Sequence, residues 1–232
     1  MDLLQSPTTI LIIIANVIFS LIGFSNQSFL NKTIGWPYYT FRHKQYYRFI
    51  TAGFLHADMP HLVFNMFTFY FFGSNLEFIL SAPGLGGNLS FLAIYFLGML
   101  AADIPSYIKH KHDEAYRSLG ASGAVSAIVF GCIVFSPWSQ IALFGVLRLS
   151  MLLYAVLYVA YCIYMGQKNN DNVNHDAHLW GSLFGLAFTL ILVFVSRPDC
   201  FAFIIKDLQN VKLFGTTDTS LVLKYLFRPD LL

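Results

Sequence analysis

Charge is what this chain lacks. Asp, Glu, Lys and Arg supply 11% of its 232 residues, against roughly 25% in soluble domains. Hydrophobic residues make up 56%, and the mean hydropathy is +0.61. A soluble domain of this size cannot enclose so much apolar surface, which excludes a water-soluble fold and leaves a polytopic membrane protein. The few charges nearly cancel to a net +2, so there is no basic field for a nucleic-acid partner. Cysteine is scarce as well. Cys132, Cys162 and Cys200 are too widely spaced for a disulfide framework or a zinc motif, and two lie in apolar runs where a thiol acts as a small hydrophobe. The first residues carry neither a basic secretory n-region nor an Arg-rich transit peptide. The first apolar run therefore reads as a retained span.

Long apolar runs are what the chain has. A membrane span needs about 20 mostly apolar residues, and six stretches qualify: 8–24, 60–80, 89–108, 121–136, 149–166 and 177–195. The first and fourth are short, so tilt or partial burial is expected there. The fold class that follows is all-α, with six transmembrane helices in residues 1–195 and a C-terminal tail over 196–232. In that tail "TTDTS" precedes "LVLKYLF", the pattern of an N-capped amphipathic helix lying on a membrane surface. A long loop is expected at 25–59, a partly apolar connection at "PWSQIALFGVLR" and a polar loop at "GQKNNDNVNH". Lys and Arg divide six to eight between the two sides, so the positive-inside rule sets no orientation.

Polar groups inside spans are costly and call for a reason. His61 and Asn65, four apart, stand one above the other at the start of the second span. The fourth span opens with Ser122 in "GASG", and the sixth opens with His178 in "AHLWGSLFG". With six crossings, the second, fourth and sixth spans all begin on one side of the membrane, so the four side chains fall at similar depth. Gly123, Ala127 and Gly131 on the fourth span and Gly181 and Gly185 on the sixth repeat every four residues. Such small-residue faces let helix backbones approach closely in lipid and would bring Ser122 within reach of His178. Gly120 and Gly123 leave space beside the hydroxyl for a substrate backbone.

Singly, each of these has a plainer reading: Ser122 as a packing serine, Asn65 as a helix bridge, the glycines as ordinary membrane packing. It is their shared depth on one face that points to chemistry. Ser126 lies one turn deeper without the flanking glycines. His56, His175 and His178 suggest a metal, but no helix carries the histidine-plus-carboxylate pattern of a zinc protease. Asp176 points away from His178.

"HLVFN", "GASG" and "AHLWGSLFG", in that order, resemble the His-x-x-x-Asn, Gly-x-Ser-Gly and Ala-His-x-x-Gly-x-x-x-Gly signatures of the rhomboid intramembrane serine proteases. "QYYRFITAGFLHAD" is similar to that family's Trp-Arg stretch, with Tyr47 in place of Trp. The resemblance runs over about residues 9–195. It implies a rhomboid-like bundle in which Ser122 is the nucleophile and His178 its general base, a dyad without Asp. His61, Asn65 and the Ser122 N–H are implied as oxyanion donors, and loop 166–175 as a gate. It implies cleavage of single-span membrane proteins in or near their transmembrane segment, with a site open to the extracytoplasmic side of a plasma (inner) membrane. No metal or organic cofactor is expected, the partners are the lipid bilayer and the membrane substrates, and no oligomeric state is indicated. Ser126 replaces an aromatic residue that, in the family, often stacks on the catalytic histidine. The rival readings are an inactive rhomboid-like protein that binds membrane helices without cutting them, and a metal-dependent membrane protease.

Overall fold

A computed structural model describes residues 6–143, 146–168, 173–209 and 221–227. Each of the six apolar stretches lies mainly in one helix: α1 (Pro7–Ser25), α5 (Met59–Leu80), α6 (Gly87–His110), α7 (Ser122–Phe135), α8 (Met151–Lys168) and α9 (His175–Ser196). Local chemistry fixes the ends that later matter. Asp58 accepts a hydrogen bond from the His61 N–H at 2.8 Å and Asn174 accepts one from the Ala177 N–H at 3.0 Å. Both are N-caps that satisfy otherwise orphaned helix donors.

α7 is the axis of the bundle. Every residue from Gly123 to Phe135 is buried, and the helix packs most extensively on α9, then on α6 and α5. That surround explains a sequence apolar on all sides and a length of only 14 residues. At about 1.5 Å per residue it falls short of the roughly 30 Å hydrocarbon layer, because protein rather than lipid covers it. Among the described residues, α1, α6 and α9 are long and apolar enough to cross a membrane. The outer faces expose Leu11, Phe64, Phe67, Leu89 and Val195, a surface suited to lipid.

The interior also holds a carboxylate. Glu77, buried near the end of α5, accepts hydrogen bonds from the Thr8 and Thr9 N–H groups and the Thr9 hydroxyl at 2.7–2.9 Å. A negative group at the start of α1 is favoured by the helix dipole, and here it clamps α1 to α5.

The connections are more structured than expected from composition. Residues 25–59 form α2 (Gln27–Thr33), α3 (Pro37–His43), α4 (Arg48–Thr51) and a 3-10 turn at Ala52–Phe54. Arg48 is buried there and donates to the Asn31 and Ile34 carbonyls and to Gln45. The stretch after α7 is an antiparallel hairpin, β1 (Gln140–Leu143) and β2 (Leu147–Ser150). In the tail, α10 (Pro198–Gln209) packs with α11 (Leu221–Phe227). α11 buries Val222 and Leu226, and Phe227 stacks on Phe78 at 4.6 Å, so part of its apolar side meets protein. Its proposed cap at 216–220 lies outside the described residues, as do 169–172 of the polar loop.

Candidate active site

The starts of α5, α7 and α9 converge. Gly120 adopts φ +130°, a conformation L side chains rarely take, and its N–H donates to the Ala52 carbonyl at 3.1 Å. Two residues earlier, Ser118 and Gly35 exchange backbone hydrogen bonds at 2.9 and 3.0 Å. The loop entering α7 is thus strapped to the first connection. A Cβ built on Gly120 would lie 3.0 Å from Cε1 and 3.3 Å from Nε2 of His61, and 3.7 Å from the Ser122 Oγ. The His61 ring and the Ser122 hydroxyl therefore flank a bare backbone.

His61 is oriented for donation. Its Nδ1 accepts from the Ala57 N–H at 3.4 Å, which leaves the proton on Nε2, the nitrogen facing Gly120. Asn65, buried one turn further on, spends one amide hydrogen on the His61 carbonyl at 3.1 Å. Ser122 is the first residue of α7, so its N–H belongs to the group of helix donors without an intrahelical acceptor.

α7 and α9 meet almost backbone to backbone. A Cβ on Gly181 would collide with the Gly123 carbonyl, and one on Gly185 with Ala127; one on Gly123 would sit 3.4 Å from the Ala177 carbonyl oxygen. Ser122 and His178 are the neighbours of Gly123 and Ala177, so both stand at this crossing. A cavity here is lined by Gly120, Ser122, Gly123, Asp103, Asn174 and Ala177. Asp176 is turned away and pairs with Lys109 at 3.4 Å.

Three features were not apparent from sequence. Tyr158 of α8 lies with its ring 18° from the plane of the His178 ring, centroids 6.3 Å apart, and its hydroxyl shares a hydrogen bond with the Ser126 Oγ at 3.1 Å. An aromatic ring thus faces His178 from the neighbouring helix, joined to Ser126 through its hydroxyl. Asp103 of α6 lines the cavity; a carboxylate one turn from the end of an apolar run was the available signal. Cys162 of α8 offers its sulfur close to the ring nitrogens of His175 and His178, a proximity no spacing rule predicts across two helices.

Outside the spans, His56 donates from Nδ1 to the Ser20 hydroxyl at 2.9 Å, since that hydroxyl donates to the Phe54 carbonyl. Burial holds its pKa down to about 3, so the ring is neutral, and it meets the His61 ring edge-on at 5.0 Å.

A family model described as Rhomboid domain matches residues 43–194. The chain belongs to the rhomboid family. It is similar to RHOMBOID-like protein 12, mitochondrial, of Arabidopsis thaliana, with 29% identity over 182 residues, 74% of this chain and 54% of that protein. YdcA of Bacillus subtilis, predicted to be a rhomboid protease, is 30% identical over 149 residues, 64% of this chain and 68% of that one. Rhomboid-like protein 11, chloroplastic, of Arabidopsis thaliana is 30% identical over 156 residues, 63% and 52% respectively. The chain spans about half the length of the two plant relatives. The protein is membrane-embedded, and organelle names among its relatives give no support to the plasma membrane expected from the motifs.

Proposed function

We propose that this chain is a six-span intramembrane serine endopeptidase that cuts single-span membrane proteins in or near their transmembrane segment. The observation that carries the reading is the meeting of Ser122, His61 and the α7–α9 crossing around Gly120. In this mechanism His178 takes the proton of the Ser122 hydroxyl as Oγ attacks the scissile carbonyl. The oxyanion receives hydrogen bonds from the Ser122 N–H, the His61 Nε2–H and the second amide hydrogen of Asn65; each such donor is typically worth about 10²–10³ in turnover. As the tetrahedral intermediate collapses, His178 gives its proton to the leaving amine. Water then attacks the acyl-enzyme with His178 again as base and releases the carboxylate. Tyr158 is a positioning residue for the His178 ring.

The test is labelling of detergent-purified protein by a fluorophosphonate probe. Labelling lost in Ser122→Ala and His178→Ala but retained in Ser126→Ala supports the dyad. A folded wild type that never labels overturns it and favours an inactive rhomboid-like protein that holds membrane helices. The face on which α5, α7 and α9 begin is read as extracytoplasmic. A His112→Cys variant, substituted beside that face, should react with a membrane-impermeant maleimide only from that side.

A further inference from the structure

Behind His178 stands a second set of chemically useful groups. Cys162 on α8 and His175 and His178 on α9 each offer one ligand atom, and all three atoms lie within 4.8 Å of one another. Cys162 and His175 are buried and His178 is half-buried. The histidines, three residues apart, share one helix face. Gly166 lets α9 close on α8: a Cβ there would lie 3.2 Å from Asp176 Oδ1 and 3.7 Å from His175 Cβ.

We propose that Cys162, His175 and His178 form a site for a thiophilic metal ion, with Zn²⁺ the first candidate, whose occupancy switches off proteolysis by claiming His178. One thiolate and two imidazoles select Zn²⁺ or Cu⁺ over Mg²⁺ or Ca²⁺. Metal–ligand bonds of roughly 2.0–2.3 Å place tetrahedral ligands about 3.3–3.7 Å apart, so the three side chains need to close by only about an ångström. Binding releases the Cys162 thiol proton to solvent and engages one lone pair of each imidazole; water fills the fourth position. Either mode of capture disables a base. A metal on Nε2 takes the lone pair meant for the Ser122 proton, and a metal on Nδ1 sets a positive charge against imidazolium formation. The binding part stands independently; the inhibitory part rests on the Ser122–His178 reading.

The experiment uses the full chain in detergent after metal removal by a chelator. Co²⁺, a spectroscopic stand-in for Zn²⁺, is expected to give tetrahedral bands and a thiolate-to-cobalt charge-transfer absorption in wild type, Ser122→Ala and Cys200→Ser. Cys162→Ser and, independently, His175→Gln should lose that signal. Zn²⁺ should slow fluorophosphonate labelling of wild type. In Cys162→Ser the inhibitory Zn²⁺ concentration, read against that variant's own metal-free labelling rate, should rise at least about tenfold, since even an outer-shell change commonly costs that much affinity. Absence of the cobalt signal in wild type overturns the site. Equal Zn²⁺ inhibition of wild type and Cys162→Ser, or activation by Zn²⁺, overturns the switch. A cobalt signal that depends on Cys162 in a protein that never labels upholds the site and refutes the dyad instead.

Discussion

The aromatic ring that faces His178 from α8 gives, when removed, the sharpest test of how the proposed base is held. An aromatic pair contributes about 0.5–1.5 kcal/mol beyond its buried area when centroids lie 4.5–7 Å apart. The Tyr158–His178 separation of 6.3 Å sits at the loose end, so roughly 0.5–1 kcal/mol is appropriate. The Ser126–Tyr158 hydrogen bond at 3.1 Å is long for two hydroxyls and contributes a similar amount. Tyr158→Leu loses both, about 1–2 kcal/mol, which at 1.4 kcal/mol per decade slows turnover about 5- to 30-fold. Tyr158→Phe keeps the ring and slows it only about 2- to 5-fold, as does Ser126→Ala. The double variant Ser126→Ala/Tyr158→Phe should be no slower than Tyr158→Phe alone, because removing the Tyr158 hydroxyl already breaks the bond to Ser126. The assay is the second-order rate of fluorophosphonate labelling, with thermal unfolding in the same detergent to separate positioning from stability. Wild-type labelling by Tyr158→Leu, or multiplicative effects in the double variant, would refute the reasoning.

Other consequences follow from the same geometry. Gly181→Ala drives a methyl into the Gly123 carbonyl; overpacking of this kind costs about 1–3 kcal/mol, so the unfolding midpoint should fall and labelling should be largely lost. Gly120→Ala keeps the helix crossing but strains a φ of +130° and presses a methyl to 3.0 Å from the His61 ring. Labelling should fall about tenfold or more, as for a lost oxyanion donor, with a smaller change in midpoint. His56 is neutral in the fold with a pKa of about 3, whereas the unfolded chain takes up that proton near 6.5. Its contribution is therefore fully present above pH 6.5 and is lost as pH falls from 6.5 toward 3, by up to about 1.4 kcal/mol per pH unit. Unfolding midpoints followed from pH 7 to pH 4 should fall steeply in wild type and less steeply in His56→Gln; parallel slopes would exclude His56 as the source.

How much of this was legible in sequence depends on where each contact lies along the chain. Helix positions follow from apolar runs, because desolvation of some twenty consecutive residues is a local quantity. The approach of α7 to α9 is also written locally, since a glycine every fourth residue makes a flat strip on any helix. The convergence of His61, Ser122 and the α9 start needed only the direction in which each run crosses. What stayed hidden was lateral. Tyr158 at mid-α8 is one of 13 tyrosines, and nothing local says that its ring faces His178 or that its hydroxyl meets Ser126. The connection at 25–59 hid its helices for another reason: its stability comes from Arg48, whose guanidinium ties carbonyls 14 and 17 residues away.

The substitution at position 126 shows how the two kinds of information join. Ser126 is buried, and a buried hydroxyl requires a hydrogen-bond partner. Tyr158 answers that hydroxyl with its own while its ring faces His178. The ring that faces His178 from α8 therefore sits on a helix whose main partner is α9. A histidine supported from α8 depends on the α8–α9 contact, and Cys162 and His175 belong to that same contact. Anything that draws those two helices together, a bound metal included, therefore acts directly on His178, the base of the proposed mechanism.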